Sequence, residues 1–159
     1  MSNVKQQRRG VLFVCLGNIC RSPIAETVFQ SLIEQRNLTD KWFCDSAATS
    51  SYHTGDLPDY RAIQVLKEHG LQTEHRARKL TKEDFNKFEW IFGMDESNIS
   101  NIKRMSPSNS QAKIELLGSY DPEGQSIIED PYYQGGIDGF IANYNQCLRC
   151  CQAFLDKMN

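Results

Sequence analysis

Apolar residues form one unbroken run near the start of the chain, and an amphipathic pattern follows it. Residues 11–14 are all apolar and lead into Cys15, which is typical of a strand buried on both faces of a parallel sheet. From residue 22 to residue 37, apolar side chains recur at steps of three and four and share one face of a predicted helix: Ile24, Ala25, Val28, Phe29, Leu32 and Ile33. This order predicts a strand, a tight loop and a helix.

Shorter patterns of the same two kinds cover the rest of the chain. Strands are predicted at residues 42–48, 90–94 and 113–117, and helices at residues 59–69, 81–88, 96–105 and 137–158. The predicted buried stripe of the last helix consists of Ile141, Tyr144, Leu148, Cys151, Leu155 and Met158. Strands that alternate with helices predict an α/β fold with a parallel sheet covered on both faces. Residues 120–136 show no periodicity, and a loop of that length is usually functional.

Length, composition and charge narrow the class of protein. The 159 residues are 40% hydrophobic and 24% charged, so we expect a single domain over residues 11–159 after a polar N-terminal extension at residues 1–10. The net charge of −2 gives no reason to expect nucleic acid as a partner, and no apolar run is long enough for a membrane span. The N-terminus shows neither a secretory signal nor a myristoylation site, so we expect a cytoplasmic protein with reduced cysteines.

The predicted loop between the first strand and the first helix carries the residues that indicate chemistry. Cys15 ends the strand, and Arg21 follows six positions later. Free backbone N–H groups and the helix dipole bind anions at such a helix N-terminus, and they also favour a cysteine thiolate. Arginine offers two parallel donors to a phosphate. The spacing alone is a weak signal, but its position at the end of a strand predicts a sulfur nucleophile aimed at phosphorus.

Neighbouring residues fit the same interpretation. Gly17 allows the backbone angles of a curled loop, and Asn18 tolerates the left-handed conformation. Ser22 suits the N-cap of the following helix, and Pro23 suits its first turn.

Two segments of the chain resemble the low-molecular-weight protein tyrosine phosphatases. The first is VCLGNICRSPIAE at residues 14–26, and the second is IEDPYY at residues 128–133. The resemblance extends over residues 11–158 and points to the eukaryotic cytosolic branch. It implies a four-stranded parallel sheet with the phosphate-binding loop between the first strand and the first helix. It also implies hydrolysis of phosphotyrosine proteins and small aryl phosphates without a cofactor or metal, and binding of inorganic phosphate or oxyanion inhibitors.

The residues themselves predict Cys15 as the nucleophile that forms a phosphocysteine, and an aspartate as the general acid. Asp130 and Asp121 each precede a proline in the long loop, and composition hardly separates them. The resemblance selects Asp130, because two aromatic residues follow Asp130-Pro131. The phosphate-binding loop then consists of Leu16, Gly17, Asn18, Ile19, Cys20, Arg21 and Ser22.

Aromatic and apolar residues are expected around this loop. Tyr132 and Tyr133 would form a wall suited to a phenyl ring. The resemblance adds Tyr52 to the substrate pocket, with Leu16 and Ile19 as its apolar parts. It further implies phosphorylation of the paired tyrosines.

The resemblance also implies that polar residues support the loop from behind: Asn18, Ser22, Ser46, His75 and Asp95. Ser22 is expected to donate a hydrogen bond to the Cys15 thiolate. Ser46 and His75 are expected to hold Asn18 in its strained conformation.

The remaining cysteines and histidines receive simpler interpretations. Cys20 shares the loop with Cys15, so the two thiols could form a reversible disulfide that protects the nucleophile. Three cysteines on the last helix are interpreted as buried apolar residues, because no second ligand group stands near them in sequence: Cys147, Cys150 and Cys151. His53 and His69 are interpreted as surface residues.

Two alternatives remain beside the phosphatase hypothesis. An arsenate reductase on the same scaffold would need further thiols, either Cys44 or the cluster near Cys150, to reach Cys15. A non-catalytic phosphotyrosine-binding module would have no use for both a nucleophile and a separate acid.

Overall fold

Four parallel strands form one sheet in the computed structural model, which describes residues 7–158. In chain order the strands are β1 (Arg9–Cys15), β2 (Trp42–Ala48), β3 (Trp90–Gly93) and β4 (Lys113–Leu116), and they lie side by side in the order β2-β1-β3-β4. The predicted parallel sheet is confirmed. β1 begins at Arg9, two residues before the predicted start, so the polar extension is shorter than predicted. Residues 1–6 of that extension lie outside the described residues.

The helices lie close to the periodic segments of the sequence. They are α1 (Arg21–Gln35), α2 (Tyr60–Glu68), α3 (Asp84–Lys87), α4 (Glu96–Met105) and α5 (Asp138–Met158), with 3₁₀ turns at Leu117–Tyr120 and Pro131–Tyr133. α4 has the predicted boundaries, whereas α3 is a single turn instead of a helix over residues 81–88. Among the helices of residues 7–158, none is long and apolar enough to cross a membrane.

Both faces of the sheet are buried, which explains the unbroken apolar run in β1. Successive side chains of a strand point to opposite faces. Phe13 therefore packs with residues of α1 and α5, and Leu12 packs into a second cluster that includes Phe85 of α3 and Ile102 of α4. The first cluster is rich in aromatic rings that contact one another: Phe13, Phe29, Trp42, Trp90, Phe92 and Phe154.

The buried face of α5 differs from the predicted stripe at its first turn. The pattern places Ile141 in the core, but Ile141 is 37% exposed, and the wholly buried Phe140 takes that position. Buried residues then follow at steps of three and four: Phe140, Tyr144, Cys147, Cys151 and Phe154. Leu148 and Met158 are only partly buried. Two adjacent apolar residues fit the helical period almost equally well, so packing against the rest of the core, with Arg61 of α2 over the Phe140 ring, decides which one is buried.

Chain connectivity places the loop after β1 at a crevice. From β1 the chain moves to β2 on one side and then crosses to β3 on the other side of β1. Where the winding reverses, the loops at the carboxyl ends of neighbouring strands separate and leave room for a ligand. Cys15 is the last residue of β1, opposite Ala48 of β2. The fold therefore opens this crevice directly beside the cysteine.

Candidate active site

The loop after β1 curls around the sulfur of Cys15. The backbone N–H of Asn18 points to Cys15 Sγ at 3.2 Å, and Ser22 Oγ lies 3.0 Å from the same sulfur. Asn18 has a positive φ of 59°, a left-handed conformation that asparagine tolerates better than most residues. At this reversal the N–H of Asn18 points into the loop, where the Cys15 sulfur lies.

Helix α1 begins at Arg21, so the predicted role of Ser22 as N-cap is wrong. Ser22 is the second residue of the helix, and no side chain caps the helix N-terminus within residues 7–158. The Ser22 hydroxyl instead lies between Cys15 Sγ and the amide of Asn18. A capping side chain would compete for the free N–H groups of the first turn, whereas their availability leaves a site for an anion.

Asn18 is held by four hydrogen bonds that fix its left-handed conformation. Its Nδ2 donates to Ser22 Oγ at 2.8 Å and to Ser46 Oγ at 2.9 Å. Its Oδ1 lies 2.6 Å from His75 Nε2 and accepts from the backbone N–H of Arg78 at 3.1 Å. Ser46 and His75 thus lie beside Asn18, where the resemblance led us to expect them.

Arg21 is buried at the end of the loop, where carboxylates orient its guanidinium. Nη1 donates to Asp95 Oδ2 at 2.6 Å and to the carbonyl of Ile128 at 3.0 Å. Nη2 lies 3.6 Å from Asp130 Oδ2. Burial alone would lower the pKa of Arg21, but the neighbouring Cys15, Asp95 and Asp130 outweigh it and hold that pKa above its ordinary value. The cation is thus fixed beside the sulfur.

The structure separates the two Asp-Pro candidates. Asp130 lies at the mouth of the crevice, with its Oδ1 accepting from the backbone N–H of Tyr132 at 3.0 Å. Asp121 lies elsewhere and forms a two-pronged ion pair with Arg149, at 3.1 and 3.0 Å. The hydrogen bond from Arg149 lowers the pKa of Asp121. Asp121 has a structural partner, while Asp130 faces the loop.

A pocket of about 130 Å³ opens over the sulfur. Its lining combines the loop, the segment after β2 and the acidic loop: Cys15, Leu16, Gly17, Ile19, Cys20, Arg21, Ser50, Tyr52, His53, Asp130, Tyr132 and Tyr133. Tyr52 is 87% exposed and Tyr133 77% exposed, so the outer wall consists of aromatic rings that face solvent. All three tyrosines expected from the sequence line the pocket.

His53 is a pocket residue that the sequence analysis missed. Its ring packs against Gly17, where an added Cβ would come within 3.0 Å of the ring. His53 Nδ1 also lies 3.2 Å from Asp56. The only signal in the sequence is its position next to Tyr52. The other histidine, His69, is on the surface as expected, stacked on Tyr144.

The cysteines divide into two groups. Cys15 and Cys20 are the cysteines among the described pocket-lining residues, and both are nearly inaccessible. Burial, together with the charge of Cys15, raises the pKa of the Cys20 thiol. Cys44 faces Glu26 and Gln30 instead. The three cysteines of α5 are buried, in agreement with their interpretation as apolar residues: Cys147, Cys150 and Cys151. Among the described residues, none of these four cysteines lines the pocket.

Behind the loop, Ser46 and His75 also contact a carboxylate, Glu26, to which no role was assigned from the sequence. Ser46 Oγ donates to Glu26 Oε1 at 2.5 Å, and His75 Nδ1 lies 3.2 Å from the same oxygen. Burial raises the pKa of Glu26 to about 7 and lowers that of His75, with Asp45 opposing the latter shift. These residues lie far apart along the chain, so no sequence spacing predicts that they meet.

Glu26→Gln should change how stability depends on pH. Since Glu26 keeps its proton in the folded state up to about pH 7, against 4.5 ordinarily, the folded protein binds more protons in this window and loses stability as pH rises. Glutamine cannot ionise, so the variant should gain up to about 3 kcal/mol relative to wild type between pH 5 and pH 8. Urea unfolding with a chelator present measures this, and the exposed Glu34→Gln is the control. If the free energies of unfolding of Glu26→Gln and wild type differed by the same amount at pH 5 and at pH 8, the prediction would be contradicted.

Fold and site together define an α/β protein whose loop after the first strand brings a buried cysteine and a buried arginine to one pocket. Residues 10–159 match the family model described as low molecular weight phosphotyrosine protein phosphatase. The protein of that name from Rattus norvegicus is 57% identical over 151 residues, covering 94% of this chain and 95% of the relative. The chain therefore belongs to the low molecular weight phosphotyrosine protein phosphatase family, and it is an enzyme.

Solved structures agree with this assignment. The crystal structure of Primo-1 superposes with a TM-score of 0.90 at 47% identity, covering 94% of this chain and 97% of that one. The crystal structure of DARP, described as a drosophila arginine phosphatase, also gives a TM-score of 0.90, at 43% identity and the same coverage. The phosphatase expectation is confirmed at the level of the family.

Proposed function

We propose that the protein hydrolyses phosphotyrosine in proteins and small aryl phosphates through a phosphocysteine intermediate. The observation that carries this proposal is the position of Cys15 Sγ. It lies at the base of the loop, 3.2 Å from the inward N–H of Asn18 and 3.0 Å from the Ser22 hydroxyl. The two contacts fix the sulfur at the base of the loop. A phosphate bound by the loop would have its phosphorus directly in front of that sulfur, which attacks as a thiolate.

In the first step, the Cys15 thiolate attacks phosphorus while the bond from phosphorus to the aryl oxygen breaks. Asp130 donates its proton to the departing oxygen. Arg21 and the loop N–H groups stabilise the equatorial oxygens, which supplies the positive charge that phosphoryl transfer requires. Asp95 holds Arg21 in position through the 2.6 Å contact.

In the second step, water attacks the phosphocysteine. Asp130, now a carboxylate, accepts a proton from that water, the bond from sulfur to phosphorus breaks, and orthophosphate and the Cys15 thiolate are regenerated. The position of Asp130 above the loop suits both steps, because the leaving group and the attacking water approach from the same side.

The pocket walls favour an aromatic substrate. Tyr52, Tyr132 and Tyr133 offer ring faces, and ring–ring packing adds about 0.5–1.5 kcal/mol beyond area burial. Leu16 and Ile19 add apolar surface. One structural relative is described as an arginine phosphatase, so phosphoarginine is the informative competitor. We expect phosphotyrosine to be preferred, because these apolar and aromatic walls match a phenyl ring better than a hydrated guanidinium.

Steady-state assays on four substrates test the proposal: a phosphotyrosine peptide, para-nitrophenyl phosphate, an alkyl phosphate and a phosphoarginine peptide. A chelator is present and thiols are absent. We expect turnover of both aryl phosphates, with lower kcat/KM for the other two. A separate assay with arsenate and added thiols tests the reductase alternative, which arsenate reduction together with no phosphate release in the first assay would favour. Binding without turnover would favour a non-catalytic module.

Mild peroxide should inactivate the enzyme reversibly. Peroxide oxidises the Cys15 thiolate to a sulfenic acid, and the Cys20 thiol then displaces water from it to form a disulfide. A dithiol reductant restores both thiols. In Cys20→Ser the first oxidation still occurs, but a larger fraction of activity should be lost permanently. Peptide mass mapping after peroxide measures the bridge, and equal recovery of both proteins without any bridge would contradict this role.

A further inference from the structure

Behind the phosphate loop, three side chains aim ligand atoms at one point that the proposed reaction does not use. His75 Nδ1 lies 3.2 Å from Glu26 Oε1 and 3.7 Å from Asp45 Oδ1. One ligand atom from each of the three residues lies within 4.8 Å of the others. In a tetrahedral zinc site with bonds near 2.1 Å, neighbouring ligand atoms lie about 3.4 Å apart. The observed separations approach this geometry and need only small side-chain movements to reach it.

Each of the three side chains is oriented by a second partner on its far side. His75 is 8% exposed, and its Nε2 lies 2.6 Å from the Asn18 carbonyl oxygen. Because Asn18 uses its amide nitrogen as the donor to two serines, Nε2 must carry the hydrogen in this contact. When His75 is neutral, Nδ1 therefore presents its lone pair to the two carboxylates. Ligating histidines in proteins commonly show this arrangement, with the other ring nitrogen donating to an acceptor.

The two carboxylates are fixed in the same manner. Ser46 donates to both of them, from Oγ to Glu26 Oε1 at 2.5 Å and from the backbone N–H to Asp45 Oδ1 at 2.8 Å. Arg78 binds the other oxygen of Asp45 at 3.1 Å. A carboxylate oxygen has two acceptor positions, so Glu26 Oε1 and Asp45 Oδ1 each keep one for an ion. Arg78 neutralises part of the negative charge but does not block those positions.

The electrostatics of the cluster favour a cation. Two carboxylates face His75, and one cation, Arg78, pairs with Asp45. A surface cleft reaches the cluster and would supply a fourth ligand as water. Three of its lining residues are glutamates: Glu26, Glu34 and Glu74. None of the lining residues that the structure describes is a lysine or an arginine.

We propose that His75, Glu26 and Asp45 bind a zinc ion or a similar transition-metal cation. The mixed set of one imidazole and two carboxylates, completed by water, suits zinc or cobalt better than calcium or magnesium, which prefer oxygen ligands alone. An ion on Nδ1 fixes the hydrogen of His75 on Nε2, facing Asn18. Metal binding would thereby be linked to the conformation of the phosphate loop. The site goes beyond the proposed hydrolysis and does not depend on it.

Cobalt titration of full-length protein tests the site. Thiols of the phosphate loop also bind metals, so the background carries Cys15→Ser and Cys20→Ser. We expect one ion per chain, visible absorption of tetrahedral cobalt without a sulfur-to-metal charge-transfer band, and displacement by zinc. In ¹⁵N NMR of the zinc-loaded protein, the resonance of His75 Nδ1 should move relative to the metal-free protein, while Nε2 should keep its proton. Sulfur charge transfer, or binding that leaves Nδ1 unaffected, would overturn the assignment.

Variants on the same background locate the ion. Glu26→Gln and Asp45→Asn keep the shape of each side chain and should each weaken cobalt binding at least about tenfold. Glu34→Gln, an exposed carboxylate of the same cleft, should change the affinity by less than about twofold. Unfolding curves without metal establish that each variant is folded. Absence of binding up to about 1 mM cobalt, or equal affinity with and without Glu26→Gln in the Cys15→Ser, Cys20→Ser background, would overturn the proposal.

Discussion

Cys15→Ser is expected to lower turnover of para-nitrophenyl phosphate by about 10⁴-fold or more, the scale seen when an enzyme loses its nucleophile. Serine retains the shape of the side chain, but its hydroxyl is not ionised near neutral pH and is a poor nucleophile without an adjacent base. The donors of the loop remain, since Arg21 and the N–H of Asn18 do not depend on sulfur for their positions. Binding of orthophosphate should therefore stay within about threefold, less than 1 kcal/mol.

Cys20→Ser is the matched control, because Cys20 is also a buried thiol of the same loop. Its turnover under reducing conditions should stay near that of wild type, apart from a small effect of altered packing. Stopped-flow turnover and calorimetric titration with phosphate measure the two quantities separately. Substantial residual turnover in Cys15→Ser, or an equal loss in Cys20→Ser, would show that another group attacks phosphorus.

The fold was largely predictable because its signals are local. β1 is buried on both faces, and a strand in that environment has no polar alternation. The periodic segments of α1, α2 and α4 mark helices whose ends differ little from prediction. The first turn of α5 was not predictable, since Phe140 and Ile141 fit the helical period almost equally well. Only contact with the rest of the core buries Phe140 and exposes Ile141.

The candidate site likewise contains residues whose proximity the sequence predicts and residues whose proximity it does not. Cys15, Asn18 and Arg21 belong to one short loop, so their proximity follows from sequence alone. The network of Glu26, Asp45 and His75 forms only when α1, β2 and the segment after α2 meet. Such a cluster leaves no spacing signal. Ser22 shows a different failure, because its N-cap preference was correct as a propensity and was overridden by the contact with the Cys15 sulfur.

Asp121 and Asp130, each followed by a proline, have different tertiary partners, which only the fold reveals. Asp121 is held in an ion pair by Arg149, which is 28 residues away in sequence and lies on α5. Composition could not reveal this partner. Asp130 has a looser contact, 3.6 Å to Arg21, and keeps an oxygen toward the pocket. The two residues share a dipeptide motif and differ only in their tertiary surroundings.

Asp130→Ala should lower kcat by about 10²–10⁴-fold for an alkyl or phenyl phosphate, the usual range for removal of a general acid. The loss should be much smaller for para-nitrophenyl phosphate, because that leaving group is stable without a proton. Phosphate binding should be nearly unchanged, since the loop donors and Arg21 remain. Rates across a series of substituted phenyl phosphates measure the effect, which should appear as a steeper dependence on leaving-group basicity in Asp130→Ala than in wild type.

Asp121→Ala is the internal control because it removes the other aspartate of the loop without touching the pocket. Its side chain is buried against Arg149, so the variant should lose about 1–3 kcal/mol of stability while keeping turnover and the wild-type dependence on leaving group. Urea unfolding separates this loss from catalysis. If Asp121→Ala proved the more damaging change to kcat at a temperature where both variants are folded, Asp121 would have to reach the leaving group. Its ion pair with Arg149 would then have to open during turnover.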